Sequence, residues 1–555
     1  MPKSTTAATT TVTSATVTAA TTTVTSATVT AATTTVTSAT VTAATATVTS
    51  ATVTAATATV TSATVTAATT TVISATGTAS TSRFTASESK GFMASVTKKR
   101  IAIIGAGPSG LSQLIAFKQA EQEQRVELVC FERQAEWGGL WQYTALTGTD
   151  SCGEPIHSSM YRQLWSNGPK EVLEYADYSF EQHFGRSITS YPPRAILYDY
   201  IIGRAAAADV RKFIHFRTAV RCVDFDDNTK QFHVTVQDLL TNKLQKDLIF
   251  DHVIVATGHY TIPNMPHFEG LSTFPGRVLH SHDYRGADEF VGKNLLIIGG
   301  SYSAEDIAVQ CYKFGAGSIT ISYRSCPMAF KWPETIKEVP LLQRIDGHTA
   351  YFKDGTSVDN IDCVILCTGY RHNHSYMAEP LRFHCTSNLY IPNNLYKGIF
   401  WSAEPRLAYL GMQNQLYTLN MFDIQAALVR DVFLDKVKLP DDDDKKRQED
   451  IAKWQAREKT LSPEDHEGFS DLQTDYLGDV TSCCDQNTVH KFDLQRVNAG
   501  FYKFFHDKKE NLITYRDQTF TSIFPPFKEA STSQIQWINN KNDSIQGYLA
   551  SITTA

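Results

Sequence analysis

The sequence predicts an α/β fold with two Rossmann-like dinucleotide-binding domains, the second inserted into the first, behind a disordered Thr/Ala/Ser/Val repeat arm. Three observations predict it. Two segments read as strand, glycine turn and helix. Apolar runs ending in Thr-Gly stand on either side of the second such segment. Ahead of both lies a twelve-residue repeat without core-forming residues.

In the arm, the unit TTTVTSATVTAA or TATVTSATVTAA runs five times from Thr9 to Ala68. Between Lys3 and Arg83 there is no charge, no aromatic residue and no Leu, so little apolar area is available to offset the entropy of ordering the chain. Residues 1–97 are therefore read as a disordered arm. A stacked β-solenoid is the rival, because Thr and Val favour strands. The hydroxyl-rich, acid-poor arm also has some character of a targeting segment but lacks the arginines of one, and a cytoplasmic location is expected.

Composition excludes several classes. A net charge of −6 over 555 residues, with no dense basic cluster, argues against a nucleic-acid partner. The longest apolar stretch after the arm, Ile101 to Phe117, is broken by glycines, serines and a proline, so no transmembrane segment is expected. The ten cysteines form no C-x-x-C pair, which disfavours a disulfide reductase, and no metal site is expected.

The first nucleotide-binding signal begins at the apolar strand from Arg100 to Ile104, followed by Gly105-Ala-Gly107-Pro-Ser109-Gly110 and the periodic segment LSQLIAFKQA. Gly105 permits the sharp turn, Gly107 lets the backbone approach a pyrophosphate, and Gly110 lets the helix lie close to the strand. The next strand, RVELVCFE, ends in Glu132, where a carboxylate suits ribose hydroxyls. The second signal runs NLLIIG, then Gly299-Gly300-Ser301-Tyr-Ser303-Ala304, then a helical pattern. Its following strand, SITISYR, ends in Arg324, whose guanidinium suits the 2′-phosphate of NADPH where a carboxylate would repel it. Together these imply FAD in one domain and NADPH in the other. The runs HVIVATGHY and CVILCTGY end in Thr257-Gly258 and Thr368-Gly369, where bare backbone can cross between domains or approach the flavin. The expected division is an FAD domain over 98–262 and 362–440, an NADPH domain over 263–361, and a C-terminal segment over 441–555 that packs on the core.

Between the two turns, Phe274-Pro-Gly276-Arg-Val-Leu-His280-Ser-His-Asp-Tyr284 resembles the fingerprint of class B flavoprotein monooxygenases. Its Tyr284-Arg285 ending is closer to the flavin-containing monooxygenases than to the Baeyer–Villiger enzymes, which usually place Trp there. The segments FERQAEWGGLW, LWSNGPKE and YLGMQNQLYTLNMFDIQA are similar to the bacterial trimethylamine monooxygenases, and the similarity extends from about Arg100 nearly to the C terminus.

By motif, this resemblance implies that Gly105, Gly107, Ser109 and Gly110 hold the FAD pyrophosphate and that Glu132 and Gln134 hold its adenosine end. Leu140 and Trp141 should line the flavin, with His157, Val220, Gln415 and Thr418 as further FAD contacts. On the nicotinamide side stand Trp165, Asn167, Gly300, Ser301, Ser303, Arg324 and Arg516. Asn167 is the expected catalytic side chain. Three departures from the family pattern touch the pocket: Gly300 for a serine, Leu140 for a glutamine and Leu416 for a tryptophan. The chemistry implied is reduction of FAD by NADPH, formation of a C4a-hydroperoxyflavin with O2, and oxygenation of a soft nitrogen or sulfur in a small amine or sulfide. A homodimer is compatible with this reading. Ketone oxygenation is the nearest rival, and a structural or surface protein carrying a vestigial flavoprotein domain is the rival of a different class.

Overall fold

The computed structural model describes residues 98–385, 389–440 and 444–553, together with five short strands in the repeat. The chain divides into Met1–Ala94 and Ser95–Ala555. In the first part the strands Ala15–Ala19, Ala27–Ala31, Ala39–Ala43, Ala51–Ala55 and Ala63–Ala67 pair in parallel, each with the copy after next. The rest of the arm, and with it the expectation of disorder, lies outside the described residues.

In the second part, apolar strands covered on both faces build a parallel sheet. Its order is Leu395–Tyr396, Phe400–Trp401, Leu407–Tyr409, His252–Val255, Lys99–Ile104, Val126–Phe131 and Ile214–His215. The strands from Leu407 to His215 run parallel, and the first two residue pairs turn back as a hairpin. On one face lie the helices Pro108–Gln122 and Thr418–Phe433, joined by a hydrogen bond of 3.1 Å from the Gln113 carboxamide to the Ala426 carbonyl. Pro108 occupies the first helical position, where its missing N–H costs nothing. The other face is covered by the antiparallel sheet Thr218–Asp226, Gln231–Asp238 and Leu244–Phe250, whose Val223, Phe232 and Val234 pack on Val253 and Val255.

A second, wholly parallel sheet has the order Arg277–His280, Cys363–Leu366, Asn294–Ile298, Ser318–Ser322 and Ile336–Val339. Helix Tyr302–Phe314 buries Ile307 and Cys311 in one cluster with Ile297 and Ile365, while Leu342, Ala350 and Phe352 of a small antiparallel sheet join Leu296 and Val364 in another. The chain leaves the first sheet after Val255 and returns to it at Leu395, so the second sheet is an insertion. Its two crossings run side by side, Ile262 opposite Arg371 and Pro263 opposite Tyr370.

One expected boundary is corrected. Strand Cys363–Leu366, assigned by the division at 362 to the first domain, pairs on both edges within the second sheet, so the return lies after Leu366. Its short apolar run carries no mark of which sheet it joins. Helices His466–Cys483 and Leu494–Glu510 of the C-terminal segment contribute Leu477, Val480 and Phe501 to the same buried cluster as Leu428 of the first unit. No helix among the described residues is long and apolar enough to cross a membrane.

Candidate functional site

Both sheets end their strands on one cavity of about 1350 Å³. Ile104, Phe131 and Ala256 bring the first sheet to its wall, and Ile298, Ser322 and Cys367 bring the second. Such crevices at the carboxyl ends of parallel strands are where open α/β sheets take ligands.

The first glycine turn is held by close backbone approach. Gly105 has φ +104°, and a Cβ there would lie 2.6 Å from the Ala256 carbonyl oxygen. A Cβ on Gly110 would lie 2.0 Å from the Gly105 oxygen. Glu132, at the end of the neighbouring strand, accepts hydrogen bonds from the Ala106 N–H at 2.7 Å and the Gln134 N–H at 2.8 Å. Burial raises the pKa of this carboxyl, and the backbone donors act against that rise. Glu132 thus fastens the turn to the second strand while also lining the cavity.

Every expected site residue except Gly110, Gln134 and Arg516 lines this cavity. Leu140 and Trp141 come from the short turn Gly139–Trp141. His157 stands 3.1 Å from the Thr261 hydroxyl, and burial, reinforced by Arg133 and His282, holds it neutral with its pKa lowered to about 3. Gln415 donates to the Gly411 carbonyl at 2.7 Å, and Thr418 opens the helix Thr418–Phe433. Leu140 and Leu416, two of the departures, both lie on the wall. At the second turn Ser301 precedes helix Tyr302–Phe314, and Arg324 is exposed with no ion pair among the described residues. Asn167 is exposed on the wall, next to the buried Ser166.

The three exceptions have physical reasons. Gly110 acts by packing beneath the turn. The Gln134 carboxamide faces the Gly139 carbonyl at 3.5 Å. Arg516 is buried behind the wall, paired with Asp306 and donating from Nε to the Ser166 carbonyl at 3.1 Å.

Other wall residues were missed by the sequence reading. Asp306 lines the cavity and is shared by Tyr161 and Arg516. Tyr260, Tyr370 and Tyr376 add aromatic surface, and their hydroxyls are held protonated by burial. Asp306 follows Ser303 by one helical turn, a spacing that could have marked it. The crossings noted for Thr257-Gly258 and Thr368-Gly369 do line the cavity, and Asn264 braces the return, donating to the Thr368 carbonyl at 3.1 Å and receiving the Thr368 hydroxyl at 2.6 Å. Of the fingerprint from Phe274 to Tyr284, only Ser281 reaches the wall, and Tyr284 is fully buried, stacked on Phe290.

Comparison with known proteins gives a consistent set of relatives. The family described as flavin-binding monooxygenase-like matches residues 98–330 and 335–490. Trimethylamine monooxygenase of Methylocella silvestris is 53% identical over 451 residues, covering 81% of this chain and 98% of that protein. The crystal structure of Tmm from Pelagibacter sp. strain HTCC7211 superposes with a TM-score of 0.77 at 45% identity, covering 81% of this chain and all of that one (100%). The structure of S-allyl-L-cysteine S-oxygenase from Allium sativum follows with a TM-score of 0.64 at 25% identity, covering 76% and 95%.

Proposed function

Since the chain belongs to the flavin-binding monooxygenase-like family and is a flavin-containing monooxygenase, we propose that it uses FAD, NADPH and O2 to oxygenate a soft nitrogen or sulfur centre, a small tertiary amine such as trimethylamine foremost. One observation carries the reading: a single cavity receives a glycine turn followed by a strand ending in a carboxylate and another followed by a strand ending in a guanidinium with no ion pair among the described residues. The two ends are chemically distinct, and so are the dinucleotides they suit.

The residues present fit both groups. At the first turn the close-packed Gly105 and Gly110 leave the helix N terminus open toward an anion, and Glu132 keeps lone pairs for a ribose hydroxyl. At the second turn, Ser301 and Ser303 offer hydroxyls beside a helix N terminus, and Arg324 offers two parallel N–H donors for a phosphate. When bound, FAD supplies the redox chemistry, taking a hydride from NADPH and passing the electrons to O2.

The protein's part is positioning and exclusion of water. Trp141, Tyr161, Trp165 and Tyr370 give the wall an apolar, aromatic surface that disfavours water next to the reacting centre. Asn167 has a carboxamide with no hydrogen-bond partner among the described residues, and we assign it the donor role at the reacting oxygen. Asn167→Asp removes that donor and adds an anion, so a larger share of NADPH electrons is expected to appear as hydrogen peroxide. Product formed per NADPH, with peroxide quantified in parallel, checks this.

The function is tested by NADPH consumption against a panel of tertiary amines, sulfides and cyclic ketones. N-oxide formation from amines coupled one to one with NADPH supports the reading, whereas ketone-dependent ester formation favours the Baeyer–Villiger alternative. For the guanidinium, Arg324→Ala is expected to reduce the preference for NADPH over NADH by roughly tenfold to a hundredfold, the worth of a lost charged hydrogen-bonding partner. Comparison of kcat/KM for the two cofactors measures it.

A further inference from the structure

Helix Tyr302–Phe314 carries two carboxylates early, Glu305 and Asp306, where the second turn presents its backbone donors. Acidic groups there favour the helix dipole but oppose an incoming anion. Neither is left uncompensated. Lys508 reaches Glu305 at 2.6 Å with both side chains 4% exposed, and Arg516 pairs with Asp306 with the two side chains 1% and 6% exposed. Both cations come from the C-terminal segment, Lys508 from the last turn of helix Leu494–Glu510 and Arg516 from the turn Tyr515–Asp517.

We propose that the C-terminal segment is a working part of the second nucleotide site: Lys508 and Arg516 neutralise Glu305 and Asp306 and so set dinucleotide affinity, Lys508 without touching the ligand. The inference rests on the NADPH reading above and deepens it.

The geometry favours an electrostatic role over simple packing. Lys508 lies over the rings of Tyr302 at 4.7 Å and Phe504 at 5.3 Å, a setting from which water is excluded and in which charge acts at long range. Burial drives the Glu305 carboxyl pKa up and the Lys508 ammonium pKa down, so each ion is costly without the other. Arg516 does a second thing. By holding the Ser166 carbonyl it fixes the peptide preceding Asn167, joining the nicotinamide side of the cavity to the expected catalytic side chain. Lys508 and Arg516 are thus positioning residues.

The test uses the flavin-loaded full chain and measures binding of NADP+ and NAD+ by the change in flavin absorbance. Lys508→Met leaves Glu305 uncompensated, and, measured at a pH high enough to keep that upward-shifted carboxyl ionised, dissociation constants for both nucleotides are expected to rise by the same factor, on the order of tenfold for a unit charge at a high effective dielectric. An equal effect on both sets Lys508 apart from Arg324, which reads the phosphate that distinguishes them. Since burying Glu305 alone strains the fold, the paired variant Lys508→Met with Glu305→Gln is made as well, and it is expected to recover affinity to within about threefold of the parent. Binding by folded Lys508→Met equal to the parent overturns the proposal, as does a paired variant that folds, holds flavin and fails to recover. A parent protein that holds flavin but binds no NADP+ overturns the NADPH reading and this inference with it.

Discussion

Purified Gly110→Ala protein should emerge colourless, or nearly so. The added methyl carbon would lie 2.0 Å from the Gly105 carbonyl oxygen and 3.5 Å from the Ala256 Cβ, and the first of these is backbone in a turn whose own φ is +104°. No side chain can rotate to make room, so helix Pro108–Gln122 must lift from strand Lys99–Ile104. That movement opens the turn that Glu132 fastens through the Ala106 N–H. Overpacking of this kind costs roughly 1–3 kcal/mol or more, and loss of bound flavin removes further stability. Gly107→Ala is the informative contrast in fold stability: its Cβ would meet the Gly139 Cα at 3.6 Å, an ordinary contact, so this variant is expected to melt with the parent as apoprotein even where its methyl weakens flavin binding by standing in the pyrophosphate's path. Flavin absorbance at equal protein, with a thermal melt, separates the two. Gly110→Ala that binds flavin at the parental ratio and melts with the parent would remove the close-packing argument.

The second large effect is acid sensitivity. His157, His252, His259 and His374 are lowered to about 3, and His280 and His372 to about 4, burial being the first cause in all six. An unfolded chain protonates its histidines near pH 6.5. Between that value and 3–4 the unfolded state therefore binds more protons, so stability rises with pH across this window and is lost as pH falls through it. Each such proton contributes about 1.4 kcal/mol per pH unit, so six together approach a slope on the order of 8 kcal/mol per pH unit near pH 5. Glu132, Glu174, Glu305, Glu458 and Asp517, whose carboxyl pKa values burial raises, work the other way where they titrate and offset part of that slope. Unfolding followed by circular dichroism should be steep below pH 6. His252 provides an internal control away from the cavity: it stacks on Phe433 at 4.0 Å with Nδ1 unpartnered, so His252→Phe should make the profile shallower by one proton. A flat profile from pH 7 to 4.5 would contradict the buried, neutral state of these rings.

Much of the fold was legible because its signals are local. Gly105 to Gly110 with Glu132, and Gly299 to Ser303 with Arg324, each lie within one strand–helix–strand unit, and short-range spacing suffices to find them. The cavity gathers most of the residues picked out by motif because the turns and the Thr-Gly crossings are themselves strand ends. What was not legible depends on partners far apart in the chain. Nothing near Arg516 in sequence announces that its guanidinium is taken by Asp306, 210 residues away. For the same reason Lys508 reads as one basic residue in an exposed helix end, although it is buried against Glu305. The boundary at 362 failed because Cys363–Leu366 has the apolar pattern of a central strand in either sheet.

The insertion also sets an order of assembly on the ribosome. The inserted sheet draws all its strands from between Arg277 and Val364–Leu366, so it closes as soon as that stretch emerges. Strand His252–Val255, by contrast, must wait for Leu407 before its second edge is covered, 407 − 255 = 152 residues later. At about 5–20 residues per second the nascent chain carries that bare apolar edge for roughly 8–30 s. During this interval the half-built first sheet is the part of the polypeptide most open to mispairing with a neighbour and most in need of a chaperone's cover.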